Sequence, residues 1–320
     1  VRPLREMETI QIEITNACVN QCANCTRLVG HHPKPYFMSM EQFTNAVDSL
    51  LEFPHMVGMM GGEPLLHPQF VEFCDYLHSM LPPEKCGLWT CLPKGKEHYR
   101  DVIVRTFGHI FLNDHTRDDV LHAPVLVPAR EICNGDFNSM WYLIDHCWVQ
   151  NGWSASINPN GAFFCEVAAA LSLLLGFKGG WKVEPNWWEK IPKDFANQMD
   201  TFCPLCGCAM PLKRRTSIEG IDDISESMIE KIGKFSPKVK AGKYAVHNLR
   251  CAIDTRTAAT YKDEKYRNDI AARYGMFLVI NEQGYQTPYL KRNWEVKSNA
   301  HHNQQEGQHY GSTQARQNAL

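Results

Sequence analysis

The chain has 320 residues, a formal net charge of −2 and a pI of about 6.7, with 44% hydrophobic and 21% charged residues. That composition supports a packed core, rules out wholesale disorder and leaves room for two or three modules or one large α/β domain with additions. Near-neutral charge argues against nucleic acid as the main partner, and the longest apolar run, 167–175, is interrupted by Ser172 and falls short of a bilayer span, so no membrane segment is expected.

The first predicted strand shows a period of two. Ile10, Ile12 and Ile14 alternate with Gln11, Glu13 and Thr15. With the isoleucines against helices, Gln11 and Glu13 face a polar interior. The strand runs into Cys18-Val-Asn-Gln-Cys22-Ala-Asn-Cys25. A helix is predicted over 40–51, with capping-box spacing at Ser39 and Gln42 and an apolar stripe through Phe43, Ala46, Val47, Leu50 and Leu51. A short strand over 56–60 ends in Gly61-Gly62-Glu63-Pro64. A helix with Phe70, Phe73, Cys74 and Leu77 on one face follows, then a strand over 87–91, a helix near 97–107 and a strand over 109–113. This alternation with short connections predicts α/β architecture, with a parallel sheet whose βα units curl toward a barrel.

After residue 145 the pattern changes. Residues 154–158, the turn Pro159-Asn160-Gly161 and 162–166 read as a β-hairpin, for which Asn-Gly is a strong signal. A short helix over 167–175 ends at Gly176. A loop with Trp181, Trp187 and Trp188 leads to Cys203-Pro-Leu-Cys206-Gly-Cys208. Helices are predicted near 225–234 and 261–274, and a second hairpin pairs 276–281 with 285–290. The tail over 297–320 is rich in Gln, Asn, His and Gly and is expected to be disordered. The N-terminus shows no export signal, and the missing initiator Met suggests a trimmed or partial chain.

Thirteen cysteines are the unusual feature. In a small secreted protein they would suggest disulfides. In a long chain with an odd count and tight clusters they point to metal. Cys18, Cys22 and Cys25 lie on one loop just past a strand and can bind three corners of an iron–sulfur cube, leaving the fourth iron open for chemistry. A zinc knuckle completed by His31 or His32 is the alternative that spacing leaves open. Gly61 to Pro64 follows the next strand at the same end of the sheet. There Glu63 and the backbone can take the amino group of a small ligand, with glycines permitting close approach.

A CxxxCxxC after the first strand and a GGEP after the second resemble the radical SAM enzymes, over about residues 8–145. The resemblance implies a partial (β/α)6 TIM-type barrel. Cys18, Cys22 and Cys25 would hold a [4Fe–4S] cluster whose open iron chelates S-adenosylmethionine. One electron would split the sulfonium, and the resulting 5′-deoxyadenosyl radical would abstract a hydrogen atom from substrate. Gly61, Gly62, Glu63 and Pro64 would bind the methionine end, and Asn113 is either a ribose contact or a strand-end cap. One departure stands out: Asn24 occupies the place before the third cysteine where these enzymes usually carry an aromatic or apolar residue against adenine.

Cys147, Cys165, Cys203 and Cys206, with Cys208 as an alternative ligand, resemble the twitch module, a shortened SPASM domain that holds one auxiliary [4Fe–4S] cluster. Gly161 and Cys165 are one residue closer than in the usual pattern, and a structural zinc site on four of the five thiolates is the alternative. The expected division is a radical SAM barrel over 1–145, an auxiliary-cluster module over 146–215, an α+β extension over 216–296 and the tail. Cys251 is a candidate hydrogen donor to a substrate radical, against the commoner fate of a buried free thiol. Cys74, Cys86, Cys91 and Cys133 read as packing residues. The tryptophans either stack on a sugar ring or pack the small module. His31, His32 and His115 near strand ends are weaker substrate-contact candidates.

The arrangement is similar to aminocyclitol and carbohydrate dehydrogenases. It implies oxidation or epimerisation of a sugar, aminocyclitol or nucleotide-sugar, with the auxiliary cluster as acceptor for a second electron. Ribosomal-peptide modification (thioether formation or epimerisation) and a non-catalytic metal-binding module are the alternatives. A flavodoxin- or ferredoxin-like electron donor and a cytoplasmic location go with reduced clusters.

Overall fold

The computed structural model describes residues 1–152 and 154–247, together with the backbone of Met276–Ile280. In chain order the main elements are β1 (Thr9–Thr15), α1 (Met40–Asp48), β2 (Met56–Gly61), α2 (Phe70–Met80), β3 (Cys86–Thr90), α3 (Arg100–Thr106) and β4 (His109–Asn113). Short elements follow: β5 (Leu121–His122), α4 (Ala129–Ile132), α5 (Phe137–Asp145) and α6 (Trp148–Gly152). The hairpin strands are β6 (Ser154–Asn158) and β7 (Gly161–Phe163), followed by α7 (Glu166–Leu175) and α8 (Ala196–Phe202). The last described elements are β8 (Arg215–Thr216), β9 (Asp222–Ile224), α9 (Glu226–Ile232), α10 (Pro237–Lys240), β10 (Tyr244–Val246) and β11 (Met276–Ile280).

The local signals translate directly. Ser39 accepts from the Gln42 amide while the Gln42 side chain accepts from Ser39, so the capping box forms and α1 starts at Met40. Phe43 of α1 and Phe73 of α2 stack at 4.1 Å between ring centres. The isoleucines of β1 are buried in the same apolar core as these helix faces. α7 ends on Gly176 at φ 68°, a left-handed conformation that costs glycine little.

One sheet organises the molecule, in the order β11-β4-β3-β2-β1-β6-β7. Strands β6, β1, β2, β3 and β4 run parallel, and β11 and β7 close the edges antiparallel. This is the mixed α/β sheet of a partial barrel-type core, but it is not a run of six successive βα units. The fifth parallel strand comes from the hairpin and lies on the other side of β1, with Ile10 opposite Ala155 and Ile12 opposite Ile157. Between β4 and the hairpin the chain forms the short helices α4, α5 and α6, and β5 pairs with β8 in a separate two-stranded sheet. The hairpin thus extends the main sheet on the β1 side, and Cys165 sits at the start of the α7 that follows it.

The tryptophans are packing residues in this fold. Trp187 and Trp188 are buried and donate to the Ser49 hydroxyl and carbonyl at the end of α1. Cys74, Cys86 and Cys133 are buried, as a core reading requires. Cys251, the helix near 261–274, the strand over 285–290 and the tail over 297–320 lie outside the described residues.

Candidate functional site

The C-terminal ends of β1 and β2 converge through the two motifs. The Gly62 and Glu63 amides donate to the Thr15 and Ala17 carbonyls, each at 2.7 Å. A Cβ on Gly61 would lie 2.2 Å from the Thr15 carbonyl oxygen, and one on Gly62 would lie 2.3 Å from that of Ala17. The glycines therefore permit close approach of the cysteine loop itself. Gly61→Ala should destabilise the fold by about 1–3 kcal/mol and impair cluster loading, read as a lowered urea midpoint together with fewer irons per chain.

Glu63 is buried. Its carboxylate accepts from the Leu65 amide, the Thr90 hydroxyl and the Cys91 amide at 3.0, 2.7 and 2.8 Å. Burial raises its pKa against the pull of these donors. Pro64 starts the single 3-10 turn behind it.

Cys18, Cys22, Cys25, Gly61, Gly62, Glu63 and Asn113 line one open cavity with about 850 Å³ of empty space, its mouth and adjoining solvent included. Burial pushes the Cys18 thiol up to about 12 and raises Cys22 and Cys25 as well. Such thiols wait for a metal, whose binding displaces their protons. Among the described residues, no three His, Cys, Asp or Glu side chains close on a single metal-ion point. His31 is not a partner for these cysteines: its two ring nitrogens meet Asp222 and Ser236 at 2.7 Å each.

Residues the cysteine and glycine motifs did not flag complete the cavity: Arg27, Met60, Cys91, His115, His122, Trp148 and Glu166 among them. Cys91 was expected in packing, but it is half-buried at the end of β3 beside Glu63, and burial pushes its thiol well up. Arg27 is buried between carboxylates. It pairs with Glu13 and Gln11 and holds Glu166 at 2.9 Å, while Ser154 also donates to Glu166 at 2.8 Å. Burial alone would lower the Arg27 pKa, but Glu166 and Glu13 outweigh it and raise it; burial leaves Glu13 raised despite Arg27. The inward parity of Gln11 and Glu13 was the only sequence sign that a buried cation was required. Arg27 Nε and His115 Nδ1 are buried without a hydrogen-bond partner among the described residues, so the cavity retains unused polar groups for a ligand. Burial lowers His115 to about 3, which keeps its ring neutral.

Asn24 has φ 48° and is buried. Its side chain exchanges two bonds with Asp223, donating to the carboxylate at 2.9 Å and accepting from the amide at 2.8 Å. Its unusual place before the third cysteine therefore has a local explanation: Asn tolerates the left-handed backbone and fastens the loop to β9.

The second cysteine group also converges. Cys147, Cys165, Cys203, Cys206 and Cys208 line a separate cavity with about 440 Å³ of empty space, adjoining solvent included, otherwise walled largely by apolar residues such as Phe164, Leu171 and Phe202. Cys208 donates its amide to the Cys206 sulfur at 3.4 Å. The two cavities are back to back in the chain. Cys147 and Cys165 line the second, while their neighbours Trp148 and Glu166 line the first.

The three thiols and the unused polar groups around them fit a [4Fe–4S] cluster with S-adenosylmethionine. Residues 12–122 match the model of the Radical SAM superfamily. A comparison with the curated proteins gives no match. Among solved structures, BtrN in complex with AdoMet and 2-DOIA is 13% identical, with a TM-score of 0.41, covering 62% of this chain and 88% of its own. SeMet BtrN in an open conformation is 13% identical, with a TM-score of 0.40 and coverages of 63% and 91%. Residues 12–122, from β1 through the three cysteines and Glu63 to His122, carry a radical SAM domain.

Proposed function

We propose that the chain is a radical SAM enzyme that oxidises a carbinol carbon of a sugar, aminocyclitol or nucleotide-sugar. The observation that carries the oxidative reading is two pairs of adjacent residues at the cavity boundary: Cys147 with Trp148, and Cys165 with Glu166. Consecutive Cα atoms are about 3.8 Å apart, so the stretches that carry Trp148 and Glu166 into the first cavity also carry two cysteines into the second.

When bound, the cluster on Cys18, Cys22 and Cys25 with S-adenosylmethionine supplies the hydrogen-abstracting radical. The chain's own residues then have separable tasks. Glu63 braces the ends of β2 and β3, with its carboxylate on Thr90 and Cys91. Asn113, at the end of β4, lines the cavity where a ribose hydroxyl can be met. Arg27 and Glu166 present charged hydrogen-bonding groups suited to substrate hydroxyls or an amine, and the Trp148 ring edges the same wall. Glu166 can accept the hydroxyl proton lost when the alcohol becomes a ketone. Cys147, Cys165, Cys203 and Cys206, with Cys208 in reserve, would hold an auxiliary [4Fe–4S] cluster that takes the second electron. The substrate reading also draws on the resemblance to carbohydrate-acting enzymes.

A flavodoxin- or ferredoxin-like donor in a reducing compartment would supply the first electron. Among the described residues no helix is long and apolar enough to cross a membrane.

The test is label transfer. With a panel of sugars and aminocyclitols deuterated at carbinol carbons, one should give deuterated 5′-deoxyadenosine and a ketone in equal amounts. Deuterium transfer without ketone would favour epimerisation instead. Label transfer only from a cysteine-containing peptide would replace the carbohydrate reading with peptide modification.

A further inference from the structure

The cysteine loop over 18–25 contains no helix or strand, so its polar backbone groups need partners from elsewhere. They come from a segment far along the chain and outside the matched domain. The Ala23 amide donates to the Ser217 carbonyl at 2.9 Å. The Asn24 amide donates to Asp222 Oδ1 at 2.5 Å. Lys238 Nζ donates to the Cys22 carbonyl at 2.8 Å and to Asp222 Oδ1 at 2.7 Å. Asp222 Oδ2 meets His31 at 2.7 Å. Lys238 and Asp222 are each only 3% exposed, and His31 is fully buried. The Lys238 stem also packs on Gly30, where a Cβ would come within 2.9 Å of it.

A buried ammonium bonded to the carbonyl of a cluster cysteine does more than fasten a loop. Taking up one electron adds one negative charge to an iron–sulfur cluster, and fixed charges in a poorly solvated site act on that change more strongly than in water. We propose that Lys238 is a positioning residue that holds the Cys22 turn and, by its buried charge, raises the reduction potential of the cluster on Cys18, Cys22 and Cys25, with Asp222 setting its place and partly offsetting it. The proposal rests on the radical SAM reading of these cysteines. Its redox step is the transfer of one electron from an external donor, dithionite in the test, to the oxidised cluster.

The full chain, reconstituted without oxygen, is titrated with dithionite and mediators and followed by electron paramagnetic resonance. The relevant signal is the one that changes when S-adenosylmethionine is added. If the unmodified chain has no such signal, the underlying reading fails. If it has one, Lys238→Met should bind the same iron but show about a tenfold lower reduced-to-oxidised ratio at a fixed potential, a shift of 59 mV for one electron. Lys238→Arg should restore most of it. Asp222→Asn keeps an acceptor for Asn24 but removes the carboxylate charge, and should shift the potential the opposite way. Unchanged potentials in both variants, or shifts in the same direction, overturn the proposal. If Lys238→Met binds no cluster, the sign of the Asp222→Asn shift decides. If both variants stay folded but bind no cluster, the electrostatic role is overturned in favour of a purely structural one.

Discussion

Replacing Cys18, Cys22 and Cys25 together by alanine should remove about four irons per chain and abolish cleavage of S-adenosylmethionine. Replacing Cys147, Cys165, Cys203 and Cys206 should remove about four others and leave uncoupled cleavage in place, while ketone formation is lost. The two results differ because the two groups line different cavities. In the first, Asn113, Glu63, Arg27 and His115 surround the thiols with polar groups. In the second, the walls are mostly apolar, with Gln150 the only polar side chain among the described lining residues apart from the cysteines. That environment suits a fully ligated electron carrier better than a reacting centre. Cys208 makes the second set tolerant of one loss: a single Cys206→Ala should retain more iron than a single Cys147→Ala, because Cys208 lies beside Cys206.

The second large effect concerns Arg27. It bridges Glu13 and Glu166 inside the protein, and all three side chains are almost fully buried. Arg27→Met keeps much of the stem but leaves two carboxylates without their cation. Breaking a buried ion pair by deleting one partner typically costs about 3–5 kcal/mol, much of it the stranded charge. The urea midpoint of the reconstituted chain should fall accordingly. Neutralising the partners as well, in Arg27→Met with Glu13→Gln and Glu166→Gln, should recover a large part of the stability but none of the activity. A loss under about 1 kcal/mol in the single variant would mean that the carboxylates take up protons at little cost, and that Arg27 does not hold the cavity floor.

The local signals in the sequence were strong where one residue type has one physical use. The alternation at Ile10, Ile12 and Ile14 placed β1, and the Ser39–Gln42 spacing placed the start of α1. Asn160-Gly161 placed the hairpin between β6 and β7. The three loop cysteines and Gly61 to Glu63 meet in one cavity because β1 and β2 are parallel neighbours, a pairing that alternating strands and helices predict. What could not be read was long-range. The pairing of β6 with β1 joins residues about 145 positions apart, and no periodicity encodes which edge a hairpin will choose.

The same holds for the buried polar partners. Arg27, Glu166, Asp222 and Lys238 look like ordinary surface charges in the sequence. Their burial follows from tertiary contacts that offset desolvation with opposite charge. Asn24 was a visible anomaly, and its explanation lay about 200 residues away at Asp223. Cys91 reads as a packing residue in the sequence because a half-buried strand-end thiol and a core thiol have the same signature; the cavity it lines is visible only in the fold.

Every role proposed for the first cavity depends on Cys18, Cys22 and Cys25 forming a working radical SAM centre. The most direct measurement is to reconstitute the full chain without oxygen, count iron and sulfide, and assay it with dithionite and S-adenosylmethionine. About eight irons per chain, and 5′-deoxyadenosine with methionine as products, are expected. A chain that binds zinc but no iron and leaves S-adenosylmethionine intact would contradict that reading.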